Sequence, residues 1–155
     1  FEPRAEELAK KYALAPYTMF IGSGALWGET ILFSMCILEE MQWKRTRYIT
    51  SADFFHGTLE LVEPGVPVFL FMGEDENRKL DERVRAFLTR GVTGDTDINI
   101  IDTAEFAIPG LDDEFRVIVS PWILSSLITD RLAAYYETVT KHNLNYRRYY
   151  HQFDY

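Results

Sequence analysis

Seven consecutive residues, Val66-Pro67-Val68-Phe69-Leu70-Phe71-Met72, carry no polar side chain. Side chains of a strand point alternately to its two faces, so a strand with one wet face alternates in polarity, and an unbroken apolar run must be covered on both sides. This run predicts a parallel strand sandwiched between helical layers. Its surroundings agree. Tyr17–Ile21 is a second apolar run, stopped by Gly22-Ser23-Gly24; Thr46–Thr50 and Ile98–Asp102 are two further strand candidates. Between them lie helical stretches: Trp27–Trp43, charged only at Glu29, Glu39 and Glu40, and Glu76–Thr89, with Leu80, Val84, Phe87 and Leu88 as its apolar stripe. Arg4–Leu14 reads as a short charged helix ended by Pro16, and Trp122–Lys141 as a final helix with Pro121 in its first turn. Strands alternating with helices in this way predict an α/β three-layer sandwich, a mainly parallel sheet flanked by helices.

Composition narrows the function classes. The 155 residues include 16 Lys and Arg against 24 Asp and Glu, a net charge of −8, which disfavours a phosphate backbone as partner, so no nucleic acid is expected. At 47% hydrophobic and 15% aromatic, the chain has enough apolar content for one core and is not a disordered segment. One Cys and three scattered His build no internal disulfide and no zinc site of ordinary spacing, so no metal is expected. The charge-free stretch Tyr12–Gly28 contains Pro16 and three glycines, a poor membrane span, and no membrane association is expected. A cytoplasmic setting is the default. The opening Phe-Glu-Pro-Arg has no initiator Met and no leader, so a piece of a larger protein is expected.

Ligands of open parallel sheets bind at the carboxyl ends of the strands. Two loops there draw notice. Gly22-Ser23-Gly24 could offer backbone N–H groups to an anion, although Trp27 stands where a dinucleotide fingerprint needs its third glycine; a plain tight turn is the simpler reading. Ser51–Gly57 contains His56, a candidate general acid or an ordinary loop histidine, and Asp53, an N-cap or turn residue first and a site residue second. At 100° per residue Glu40 shares a helix face with Phe33, Cys36, Ile37 and Trp43. A carboxylate there is raised toward a useful general base by desolvation, or it is a partly exposed Glu near the helix end, or it forms a buried salt bridge to Arg45 or Arg47. The aromatic tail, residues 142–155, should dock on this domain or a neighbour, and an arginine in it could bind a phosphate or a carboxylate.

Three segments together, Glu39-Glu40-Met41-Gln42-Trp43, Ser51-Ala52-Asp53-Phe54-Phe55-His56-Gly57 and Arg147-Arg148-Tyr149, resemble the second domain of the sugar-isomerase (SIS) family deglycases, which act on fructosamine 6-phosphates. The isomerase portion of glucosamine-6-phosphate synthase is a more distant relative. The resemblance runs from about Tyr17 to Tyr155 and implies an SIS-like sheet of flavodoxin-like topology. It implies Glu40 as general base and His56 as general acid, the histidine often entering from a neighbouring subunit. Gly22, Ser23, Gly24, Asp53 and Arg148 are the substrate-binding candidates, and no cofactor is implied. Two departures stand out: Ser51-Ala52-Asp53 where the family has S-G-E, and Thr58 where it has Pro.

On this reading residues 1–155 are a single SIS domain, the second half of a two-domain subunit, with residues 1–16 as a helical lead-in. The Ser/Thr-rich phosphate loop belongs to a first, N-terminal SIS domain, so the expected partners are that domain, a phosphorylated sugar-amine substrate and at least one further copy of the chain. Alone, the piece should be nearly inactive. The rival readings are a phosphosugar isomerase or amidotransferase isomerase domain, and a non-catalytic phosphosugar-sensing module of a regulator.

Overall fold

A computed structural model of the chain describes residues 1–91 and 93–154; Val92, in the glycine-rich approach to the last strand, and Tyr155, at the end of the tail, lie outside the described residues. Four strands, β1 (Thr18–Ile21), β2 (Thr46–Ile49), β3 (Val68–Met72) and β4 (Ile98–Asp102), form one sheet in the order β2-β1-β3-β4, all pairs parallel. Of the unbroken apolar run, Val68–Met72 becomes a strand buried at every position, while Val66 and Pro67 precede it. In the β1–β3 register Met19 faces Val68, Phe20 faces Phe69 and Ile21 faces Leu70.

Alternation along the strands then sorts side chains into two cores. Phe20, Phe69, Phe71 and Ile101 point to one face, covered by α1 (Glu2–Tyr12), by α2 (Trp27–Ile31) with its continuation Leu32–Met41, and by the last helices α5 (Arg116–Ser125) and α6 (Ala133–Thr140), with Ser126–Leu132 between them. Met19, Ile21, Val68, Leu70 and Met72 point to the other face, covered by α3 (Ser51–Phe54) and α4 (Arg78–Leu88) through Phe54, Val84 and Leu88. This is the three-layer arrangement that the alternation of strands and helices predicts.

The structure corrects two details. Pro121 lies inside α5 rather than in its first turn. A proline has no N–H to give the carbonyl four residues back, and here the buried Ser120 hydroxyl donates to that carbonyl, Val117 O, at 3.1 Å. Secondly, Leu32–Met41 is wound as a π-helix with i→i+5 bonds, Gln42 N donating to Ile37 O at 3.1 Å. The wider winding turns each residue by less than 100°, and Phe33 and Ile37 are buried while Glu40 is only half-buried. By length and composition alone, Asp113–Thr140 is long and apolar enough to cross a membrane, as the core helix of a folded domain also can be. Its Leu124, Ile128, Leu132 and Tyr136 sit in the first core, while Ile118 and Trp122 stay exposed.

Candidate functional site

The carboxyl ends of the strands, where the sequence places a ligand, are filled by the chain's own ion pairs. Between β1 and β3 the strand order reverses, the point at which a crevice opens in such sheets. Asp75 spans it: its carboxylate accepts from Ala25 N at 2.5 Å and from Asn77 N at 2.7 Å. Gly24 adopts φ +55°, and a Cβ there would run into the Asp75 carboxylate, so both conformation and contact require glycine. The simpler reading of Gly22-Ser23-Gly24, a tight turn, fits: Gly22 N donates to Ile49 O at 3.3 Å and Ser23 Oγ accepts from Ser51 N at 2.7 Å. Arg78 grips Asp102 with two bonds of 2.9 and 2.6 Å, and Arg116 grips Glu74 at 2.6 and 3.0 Å.

Asp81 belongs to this end and is missing from the apolar stripe read in α4. Only 1% exposed, it accepts from Ser51 Oγ at 2.5 Å and Gly73 N at 3.3 Å, tying the ends of β2 and β3 to α4. Burial, opposed by those two bonds, pushes its carboxyl up to about 6. Between pH 4 and 6 the folded chain therefore keeps a proton that the unfolded chain has released. The resulting stabilisation is full at pH 4 and lost as pH rises through 6. Asp81→Asn removes the titration. Relative to wild type it should gain on the order of 2 kcal/mol between pH 4 and pH 7 in urea unfolding; a difference that does not change with pH would contradict a proton held at Asp81.

In the second loop Thr50, not Asp53, is the N-cap of α3: its hydroxyl accepts from Asp53 N at 3.0 Å and donates to Asp53 Oδ2 at 2.8 Å. His56 follows α3 and is exposed; Gly57, at φ +135°, turns the chain in a way open to glycine alone. Thr58, where the resemblance departs from proline, is buried and accepts from Arg47 Nη2 at 3.5 Å.

Glu40 is elsewhere. The helix that carries it runs back from the carboxyl end of β1 to the amino end of β2, where the neighbouring Glu39 accepts from Thr46 Oγ1 at 2.6 Å. That helix covers the Phe20 face of the sheet, whereas α3, which leads to His56, covers the Met19 face. Glu40 and His56 thus lie in different layers. Beta2 alone separates their attachment points by about 10 Å at roughly 3.3 Å per residue.

What does meet Glu40 is the tail. Arg147 Nε donates to Glu40 Oε1 at 2.8 Å, 107 residues away in sequence; Arg45 and Arg47 do not take that role. The guanidinium is itself placed by Leu144 O at 2.7 Å and Tyr146 O at 2.9 Å. Trp43 ends the helix at φ +53°, a conformation that costs a non-glycine residue about 1 kcal/mol. Its ring packs edge-on with His142 at 4.3 Å and lies under the Arg148 guanidinium at 4.0 Å. Buried Gln42 joins the same seam, donating to His142 O at 2.6 Å and accepting from Thr140 Oγ1 at 2.7 Å. These contacts bring only part of the tail against the helix end: Tyr149 and Phe153 remain 67% and 61% exposed.

Between helix end and tail a cavity of about 490 Å³ opens, walled by Glu39, Glu40, Trp43, Arg147, Arg148 and Tyr149. Lys44 also borders it, but its ammonium donates to Ala13 O and Ala15 O at 2.6 and 2.7 Å, and burial pushes its pKa down. Counting Lys44, the wall carries one more positive than negative charge on a chain whose net charge is −8. Among the described residues no three His, Cys, Asp or Glu side chains gather where they could hold a metal ion.

No family model matches the sequence. Among curated proteins the chain is 30% identical over 94% of its length to fructosamine deglycase FrlB of Bacillus subtilis, and 30% identical over 97% to the fructoselysine 6-phosphate deglycase of Escherichia coli. It spans 43% and 42% of those proteins, less than half of each. Among solved structures, one described as a phosphosugar isomerase from Bacillus subtilis superposes with a TM-score of 0.91 at 28% identity, covering 99% of this chain and 46% of that one. The likeness drawn from the three short segments therefore extends along nearly the whole chain, and its sheet and helical layers are those of that phosphosugar isomerase.

Proposed function

We propose that this chain is one SIS domain of a deglycase that converts a fructosamine 6-phosphate and water to glucose 6-phosphate and a free amine. The observation that carries the reading is the Glu40–Arg147 contact. Two segments of the resemblance, separated by 107 residues, meet at the wall of one cavity. The names of the deglycase relatives support it.

In the open-chain substrate the amine nitrogen sits on C1, beside the C2 ketone. Glu40 takes a proton from C1, giving an enaminol, and returns it to C2, leaving an imine between C1 and the nitrogen. Water adds to that imine, the C–N bond breaks, and the amine leaves with the proton it needs. Each positioned acid or base of this kind contributes about 10² to 10⁴ in rate. Arg147 holds the Glu40 carboxylate in one orientation and offsets its charge. His56 assists ring opening and protonation at oxygen, and since it lies in another layer from Glu40, the histidine serving a given Glu40 comes from a second copy of the chain. The phosphate is gripped by a further domain, with which this one forms a two-domain cytoplasmic subunit.

The test offers the full-length protein a fructosamine 6-phosphate and fructose 6-phosphate side by side. Equal amounts of free amine and glucose 6-phosphate from the first are expected. Conversion of fructose 6-phosphate without any amine release from the other substrate would favour a sugar-phosphate isomerase instead.

A further inference from the structure

We propose that Asp81 is a positioning residue: through the Ser51 hydroxyl it anchors the start of α3 and so sets where His56, five residues further on, meets the substrate. The inference rests on the deglycase reading, in which His56 takes part, and adds to it the group that places that histidine.

His56 is exposed, and among the described residues its imidazole makes no hydrogen bond or ion pair; only its backbone is tied, His56 N donating to Asp53 O at 2.9 Å. Its position is inherited from the segment that carries it. That segment is fixed on two sides at its first residue. Ser51 N donates to Ser23 Oγ at 2.7 Å, in the loop after β1, and Ser51 Oγ donates to Asp81 Oδ1 at 2.5 Å, on α4. Asp81 Oδ2 accepts from Gly73 N at 3.3 Å, so one carboxylate joins the His56 segment to the end of β3. Further along, Phe54 is fully buried and packs edge-on against Phe87 of α4 at 5.8 Å, while Phe55 lies under the Arg83 guanidinium at 4.1 Å. Ser51–Phe54 is helical and Phe55 keeps right-handed angles, so a shift at Ser51 passes to His56 through a stiff stretch. The first glycine, Gly57, comes after the histidine.

A gain in stability does not account for a carboxylate at this place. Asp81 is 1% exposed, and no cation is hydrogen-bonded to it: Arg78, one turn earlier in α4, gives its guanidinium to Asp102, and the nearby Asp75 carboxylate repels it. A buried carboxylate without a bonded cation costs stability when ionised. The next turns of α4 fill the same side with Val84 and Leu88, at no such cost. What a carboxylate alone offers is two acceptors at once, one for a hydroxyl and one for a backbone N–H. Stability is given up for placement, an exchange common where a site must be held in one geometry.

The experiment is a double-mutant cycle in the full-length protein, reading kcat for amine release from a fructosamine 6-phosphate. Ser51→Ala removes the hydroxyl that Asp81 holds and keeps the N–H bonded to Ser23; Asp81→Asn leaves one acceptor oxygen for two donors. Each should lower kcat by about 10- to 100-fold with KM little changed, the loss expected when a reacting group is displaced by about 1 Å. In a His56→Ala background neither should lower the residual rate further, because the group they place is gone. An unchanged kcat in Ser51→Ala overturns the proposal. So does a fall by the same factor with and without His56, which would make Asp81 a support of the whole fold, and so does full turnover in His56→Ala alone. If Asp81→Asn does not fold, Ser51→Ala carries the cycle by itself. Should fructose 6-phosphate be converted and no amine released, the deglycase reading fails by itself, and the same cycle on fructose 6-phosphate decides about Asp81. Should neither compound react, amide hydrogen exchange over residues 54–57 decides: faster exchange in Ser51→Ala supports the anchoring, and equal exchange overturns it.

Discussion

Glu40→Gln in the full-length protein is expected to lower glucose 6-phosphate release from a fructosamine 6-phosphate by about two to four orders of magnitude, with binding of the phosphosugar largely kept. Glutamine has the same shape and retains the oxygen that accepts from Arg147 Nε at 2.8 Å, so the docked tail and the cavity wall should persist. What it loses is the capacity to take and return a carbon-bound proton. The fall should appear in kcat with little change in substrate dissociation constant, the signature of an interaction made only in the transition state. Near-normal turnover would remove Glu40 from the role, and weakened binding with unchanged kcat would recast it as a substrate contact.

The layers of the fold were legible because strand and helix periods are local. Val66–Met72 has no polar side to show to water, and Ile98–Asp102 forms a strand with the bounds its pattern suggests. Pro121 misled because a proline's ordinary place is the first turn, and nothing local reveals that the Ser120 hydroxyl serves the carbonyl it leaves. Asp81 left a signal that an apolar count passes over, a lone carboxylate three residues before Val84 on the buried side of α4. Glu40 is a mixed case. At 100° per residue it shares a face with apolar residues, and at the end of the π-wound Leu32–Met41 it is half-buried, the partly exposed position that the helix end also allows. The demand for a partner was right in principle, but the partner came from Arg147, and sequence distance carries no record of such a meeting. In the tail, aromatic content overstated burial: two arginines do the docking, by charge and by stacking, while Tyr149 and Phe153 stay outside.

Separation of Glu40 and His56 into different layers leads to the second large effect. If each site takes its Glu40 from one subunit and its His56 from another, then Glu40→Gln and His56→Ala proteins, each nearly inactive, should restore activity to one another when mixed. In a mixed dimer one site receives both altered residues and the other receives neither. Random exchange at equal amounts makes half of the dimers mixed, so about a quarter of wild-type activity should return for a two-fold symmetric pair. Exchange has to be driven by dilution or mild denaturant and followed over time, with each variant mixed with itself as the control. A double variant carrying both changes, mixed with wild type, should show no such gain beyond the wild-type sites that survive. Recovery near a quarter would place the histidine in the partner copy, because no rearrangement within one chain lets two defective subunits make a sound site. An absence of recovery, with exchange demonstrated independently, would require His56 to reach Glu40 around the edge strand β2 within a single subunit. That path needs the Ser51–Gly57 loop to abandon the Ser51–Asp81 and Ser51–Ser23 bonds that now hold its start.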